Sequence, residues 1–310
     1  MVRRPPLPGE DFGRCPLVGP GPTLSPFLET LSVTRTELLR TLRNARVLVL
    51  LLLFGTSTAL IGLMLGLLTR GLDAQGPETA AAAGASILGF LWGVDGGAVE
   101  HLSELPLLVP LVFGADLFFL PLFIALLGYD QLSAEVATGS VRYLAVRARR
   151  GSVLAGKFLA QAVVMGLLLA LVVAGLFAAG AGLRSGLEPV SYAAAAARFW
   201  AGGAALAFGY LALTALSSAM TSSPGSSLLL NVGALFGFWL LHAVGSRAAL
   251  VHRMGGSASW TEDLRWLSPS AYASGVLGST TTLLTSVAAY AAFGAVFLGV
   301  AWAVFRARDV

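Results

Sequence analysis

The chain has 310 residues, of which 56% are hydrophobic and only 12% are charged, and its mean hydropathy is +0.80. Soluble domains carry about a quarter charged residues, so this composition excludes an ordinary soluble domain and indicates an integral membrane protein. The net charge is +4, but the basic residues flank apolar runs and do not form a solvated patch. We therefore expect a lipid membrane, and no nucleic acid, as the partner of this charge.

The N-terminal region divides into a tail and an amphipathic segment. Residues 1–26 are rich in proline and lack an apolar core, which predicts a disordered tail and no cleavable signal peptide. Residues 27–43 interleave leucines with Arg35, Arg40 and Arg43. This pattern predicts an amphipathic helix on the membrane surface, at the start of one transmembrane domain that covers residues 27–310.

Six apolar segments are long enough to cross a bilayer, which takes about 20 residues. They cover residues 47–68, 105–127, 153–179, 198–220, 226–245 and 283–305, and they predict an all-α fold. The fourth and fifth segments are joined by TSSPG at 221–225, whose Pro and Gly favour a tight turn. The run WTEDLRWLSPSAY at 260–272 predicts short extracytoplasmic helices before the last span, because Trp and Tyr favour the headgroup level.

The distribution of arginine predicts the orientation. Basic residues precede the first span, fill the connection between the second and third spans, and follow the last span. The first connection, residues 70–104, is acidic. By the positive-inside rule, we expect both termini to lie in the cytoplasm. The fifth connection fits this orientation less well, because its basic residues lie on the predicted outer side: Arg247, Arg253 and Arg265.

The run GSVLAGKF at residues 151–158 matches a phosphate-binding loop at every position but the last. Phe158 offers no hydroxyl for magnesium, and an apolar span follows it in place of a soluble helix. We therefore expect no nucleotide site here. Gly151 and Ser152 are expected to begin a helix, and Lys157, the only lysine, to snorkel at the inner interface. No catalytic or metal-ligating cluster is expected, because the three histidines are scattered and Cys15 is the only cysteine.

The connection between the second and third spans, residues 128–157, carries a motif. An acid at Glu135 is followed by Gly139–Ser140, an apolar stretch, the basic pair Arg149–Arg150 and the pair Gly156–Lys157. This order resembles the cytoplasmic connection of type-2 ABC exporter permeases, although the proline that usually precedes the basic pair is absent. The runs TELLR at 36–40 and LSPSAY at 267–272 are also similar to that family, so the resemblance covers about residues 27–305.

The resemblance implies a permease subunit that forms half of a transmembrane pathway and binds no cofactor itself. ATP would be bound and hydrolysed by a separate ABC ATPase, present in two copies and docked on residues 128–157. A second permease subunit would complete a homodimer or a heterodimer in the bacterial cytoplasmic (inner) membrane. The implied docking residues are Asp130, Glu135, Gly139, Arg142, Arg147, Arg149 and Arg150.

Three polar residues lie inside the predicted spans. Asp116 is near the middle of the second span, where a carboxylate costs a few kcal/mol and needs a partner or a wet cavity. It either lines the pathway or a subunit seam, or is hydrogen-bonded in the bundle core. Asn231 and His242 in the fifth span are expected to form hydrogen bonds between helices.

Functions other than export would require different features in the sequence. An ion-coupled secondary transporter should show broken helices in related halves and several buried ionisable groups, whereas only Asp116 is clearly buried. A membrane enzyme needs a catalytic cluster, which the sequence does not show. A non-transporting assembly component with the same fold is not separated from export by the sequence, and no motif identifies a cargo.

Overall fold

The computed structural model describes residues 25–73, 105–140, 149–183, 188–255 and 260–308, with short pieces at 82–84, 86–87, 89 and 102. These ranges contain helices and turns but no strand. The helices are α1 (Pro26–Arg43), α2 (Ala45–Asp73), α3 (Leu108–Gly128), α4 (Ser133–Thr138), α5 (Arg150–Leu183), α6 (Pro189–Met220), α7 (Pro224–Arg253), the 3-10 helices η1 (Trp260–Leu267) and η2 (Pro269–Tyr272), α8 (Ala273–Leu277) and α9 (Thr280–Ala307).

Six of these helices are long and apolar enough to cross a membrane, which confirms the six predicted spans: α2, α3, α5, α6, α7 and α9. Several run further than hydropathy indicated. The helix α6 begins at Pro189 and not near residue 198, and α7 continues to Arg253. The added turns contain alanines in α6 and several polar residues in α7, which accept a helical backbone but are less hydrophobic than the centre of a span, so a hydropathy criterion shortens the helices.

The two non-spanning elements predicted from the sequence are also present. Ser25 caps the start of α1 by accepting a hydrogen bond from the amide of Leu28, and Pro26 occupies the first turn. The exposed side of α1 carries Phe27, Leu31 and Leu42, and its other side packs on α5. The amphipathic helix is therefore confirmed, and η1, η2 and α8 confirm short helices before the last span.

The spanning helices pack around α6. This helix contacts α3, α5, α7 and α9, and Phe199 on α6 stacks on Phe113 of α3 with ring centroids 4.6 Å apart. The apolar stretches of α3 and α6 are mostly buried, whereas few residues of those in α2, α7 and α9 are buried within the chain. These exposed apolar faces are those that a bilayer would cover.

Some predictions fall outside the described residues. They concern the tail at 1–24, most of the first connection, and residues 141–148, which include Arg142 and Arg147.

Candidate functional site

Lys157, in the second turn of α5, joins three helices. Its side chain is only 6% exposed. Its Nζ lies 2.8 Å from Oε1 of Glu37 on α1 and 2.7 Å from Oε1 of Glu135 on α4. The expectation that Lys157 snorkels is therefore wrong, because two carboxylates within the protein pair with the ammonium. A buried charge is tolerated only with such partners.

A fourth member balances the charge of this group. Arg40 of α1 lies 3.7 Å from Oε1 of Glu37 and 3.9 Å from Oε1 of Glu135. Two acids and two bases then make a neutral cluster. Arg40 is 70% exposed, so its long ion pairs contribute little compared with the buried contacts of Lys157. We call Glu37, Arg40, Glu135 and Lys157 the charge cluster.

The close packing of α1 on α5 depends on Gly156. A Cβ atom on Gly156 would lie 2.6 Å from Cγ1 of Val33 and 3.1 Å from the carbonyl oxygen of Thr30. The missing side chain therefore lets the two helices cross closely. One turn away, Ser152 donates a 3.0 Å hydrogen bond to Oε2 of Glu29. The polar face of α1 is thus bound to the first two turns of α5, which leaves its apolar face outward.

The short helix α4 is fixed by α6. Oγ of Ser218 accepts hydrogen bonds from the amides of Leu132 (2.9 Å) and Ser133 (3.0 Å), which are free of intrahelical partners at the start of α4. Leu132 is fully buried in a small apolar cluster with Leu154, Ala219, Ala301 and Phe305. The helix ends at Gly139, whose φ of +70° is a left-handed conformation that favours glycine. These contacts bind α4 to α5, α6 and α9.

Arg150 ties the start of α5 to the end of α9. Its guanidinium donates to the carbonyl oxygens of Arg306 (3.0 Å) and Arg308 (2.7 Å). Carbonyls in the last turn of a helix lack intrahelical donors and carry partial negative charge, so a cation is stabilising there. The first two turns of α5 are therefore a common attachment point for α1, α4 and α9.

The structure describes five of the seven predicted docking residues. Glu135 and Arg150 are engaged within the chain, and Gly139 terminates α4. Arg149 is exposed, and Asp130 is half-buried just before α4. Their role in docking an ATPase stays a prediction.

Asp116 contacts the neighbouring span. Its Oδ1 accepts a 2.7 Å hydrogen bond from Oγ1 of Thr58 on α2, and the residue is 3% exposed. Within one chain, Asp116 is thus hydrogen-bonded in the bundle core, and its role at a pathway or seam stays a prediction.

Nδ2 of Asn231 donates to Oγ1 of Thr214 at 2.9 Å, which confirms the predicted bond between helices. For His242, Nδ1 has no partner within the described ranges, so that prediction is not confirmed.

Several residues of the site were not identified from the sequence. Glu29, Val33 and Glu37 are spaced four apart and share one face of α1, and a single lysine in a chain with few charges needs a carboxylate partner. Those two signals together could have indicated Glu37. Nothing in the sequence singles out Ser218, because a serine in a membrane helix usually bonds to its own backbone.

The family described as ABC-2 family transporter protein matches residues 31–310, a range that starts within α1 and includes every later helix. A search of curated proteins finds no match.

Proposed function

Because the chain belongs to the ABC-2 transporter family, we propose that it is the membrane subunit of an exporter driven by a separate ATPase. The family and the six apolar helices make it a multi-pass membrane protein and a permease of ABC-type transporters. Permeases of this family are normally non-catalytic and associate with an ABC ATPase. The chain would take part in export, together with two copies of the ATPase and a second permease subunit. It would lie in the bacterial cytoplasmic membrane with both termini in the cytoplasm.

The attachment of α4 is the observation that carries the proposal. Through Glu135, Leu132 and Ser218, α4 is bound to α5, α6 and α9, and through Lys157 it is linked to α1. A force applied to residues 128–157 from one side of the membrane would therefore act on three spans and on α1 together. A domain that hydrolyses ATP outside the bilayer needs such a mechanical connection to drive transport.

The contacts divide the predicted docking residues by role. We assign Glu135 and Arg150 to holding the connection in place, since both are used within the chain. Asp130, Gly139, Arg142, Arg147 and Arg149 keep the direct contact with the ATPase that the resemblance implies. Of these, Arg149 is described and exposed immediately before α5, so it is the residue on which to test docking.

The test reverses one exposed charge. We expect Arg149→Glu to reduce the amount of ABC ATPase that co-purifies with the chain from its native membrane by about tenfold, because a like charge in a complementary interface costs more than about 1.4 kcal/mol. The matched control is Arg247→Glu, which reverses an exposed arginine near the other end of the bundle and should leave the yield unchanged. Two results would contradict the proposal: an equal loss in both variants, or ATP hydrolysis by the purified chain alone.

A further inference from the structure

A group of buried polar side chains lies beside α4, apart from the charge cluster. It surrounds Gly128, the last residue of α3. A Cβ atom there would lie 2.7 Å from Oε1 of Gln161 on α5, 2.9 Å from Nε2 of Gln131 and 2.8 Å from Cγ2 of Thr214 on α6. Two side-chain amides from different parts of the chain therefore converge on one point, and only glycine leaves room for them.

The hydrogen bonds within this group are incomplete. Asn231 donates to Thr214, and Thr214 donates to the carbonyl oxygen of Tyr210. Four other atoms are buried and have no partner in the part of the chain that the structure describes: Nε2 and Oε1 of Gln131, Oε1 of Gln161 and Oδ1 of Asn231. Each buried polar atom left unpaired costs about 1–3 kcal/mol. Gln131 is only 7% exposed, so bulk water does not reach its amide freely.

The chemistry of these atoms identifies the ligand. Three are acceptor oxygens and one is a donor nitrogen, and none is charged at neutral pH. A metal ion would leave Nε2 of Gln131 unpaired and would find no carboxylate among these atoms. A water molecule can accept from that nitrogen and donate to two of the oxygens, and buried waters typically make about three hydrogen bonds.

We propose that this group binds at least one ordered water molecule, which bridges Gln131 and Gln161 at the junction of α3, α4 and α5. Bonds through water are nearly as favourable as direct bonds and re-form readily when their partners move. Such a site would let α4 shift against the spans without leaving buried amides unpaired. That use rests on the proposed function, whereas the site itself does not.

Solid-state NMR on the full chain in phosphatidylcholine bilayers can detect this water. The chain contains only three glutamines and two asparagines, so labelling their side-chain amides with ¹⁵N gives few signals. The Gln131→Met variant identifies the signal of Gln131. We expect magnetisation from water to reach that amide at short mixing times, as fast as it reaches the exposed Asn44, although Gln131 is buried.

Two further variants make the result specific. Gly128→Ala places a methyl group against both amides and should lower the transfer to Gln131 severalfold, whereas Gly166→Ala, where a Cβ meets no neighbour within 4 Å, should leave it unchanged. If Gly128→Ala fails to fold, Gln161→Met tests the same bridge by removing one acceptor and should also lower the transfer. Slow transfer in the unmodified chain would show that no water molecule contacts this amide and would overturn the proposal, whatever the outcome of the docking test.

Discussion

The two ends of the helical bundle are held by different chemistry. At the end that contains α4, the buried ammonium of Lys157 contacts Glu37 and Glu135. At the end that contains η1 and η2, neutral hydroxyls donate to backbone carbonyls, as from Tyr290 to Pro269 (3.0 Å) and from Ser286 to Tyr272 (2.8 Å). One end therefore depends on a shared charged centre, and the other on separate hydrogen bonds.

Two other contacts at the η1–η2 end are also local, although one of them uses a charged side chain. Arg198 of α6 donates to the carbonyl oxygen of Gly278, and Gly245 of α7 lies so close to Arg265 that a Cβ atom would be 2.6 Å from its backbone nitrogen. Each of these contacts joins two elements at one point. Losing one of them leaves the others intact, whereas losing Lys157 removes the ion pairs of α5 with both α1 and α4 at once. The two ends should therefore respond differently to single substitutions.

The largest effect is expected from Lys157→Met. Methionine is about as long as lysine, but it leaves the buried Glu135 and the half-buried Glu37 without their shared cation. Breaking a buried ion pair by removing one partner costs about 3–5 kcal/mol, so we expect a large drop in the free energy of unfolding. Titration of the purified chain with denaturing detergent measures this loss.

Two companion variants separate the loss of the pair from the loss of a positive charge. Arg149→Met removes an exposed arginine eight positions earlier and should change stability little. Lys157→Met combined with Glu135→Met should recover part of the loss, because replacing a buried ion pair by apolar side chains is often neutral. The charge cluster would lose its proposed importance if the single variant were as stable as the unmodified chain.

A smaller effect is expected from Gly156→Val, which disturbs the packing of α1 on α5. The new side chain would collide with Val33 and with the backbone of Thr30, and overpacking of this kind costs about 1–3 kcal/mol. We expect α1 to move away from α5. Spin labels at Ser32→Cys and Met220→Cys, both exposed positions, in a Cys15→Ser background should show a longer or broader distance distribution.

The matched substitution is Gly166→Val on the same helix, where a Cβ has no neighbour within 4 Å. It introduces the same side chain and the same change in helix propensity without a collision. An unchanged distance in Gly156→Val, or an equal change in both variants, would contradict the view that Gly156 positions α1.

Much of the architecture follows from hydropathy, and much less of the site does. The six spans, the amphipathic helix at 26–43 and the short helices before the last span were predictable because each depends on local composition. The motif also pointed to Glu135 and Lys157. The partner Glu37 lies 120 residues before Lys157 in sequence, so its contact depends on how α1 crosses α5, which composition does not determine. The prediction that Lys157 snorkels was wrong because a sequence shows where a charge lies relative to the bilayer but not whether the protein itself supplies its partner.

The smallest effect is expected at the η1–η2 end, from Tyr290→Phe. This change removes one hydroxyl that donates to the carbonyl of Pro269, and hydrogen bonds between membrane helices contribute about 0.6 kcal/mol on average. We expect a loss of that size in the same detergent titration, and an unchanged spin-label distance between α1 and Met220. Tyr272→Phe is the control, because its 3.3 Å bond to Trp266 is exposed and water can replace it. If Tyr290→Phe destabilised the chain as much as Lys157→Met, the two ends would not differ in the way described, and the charge cluster would be one stabilising contact among many.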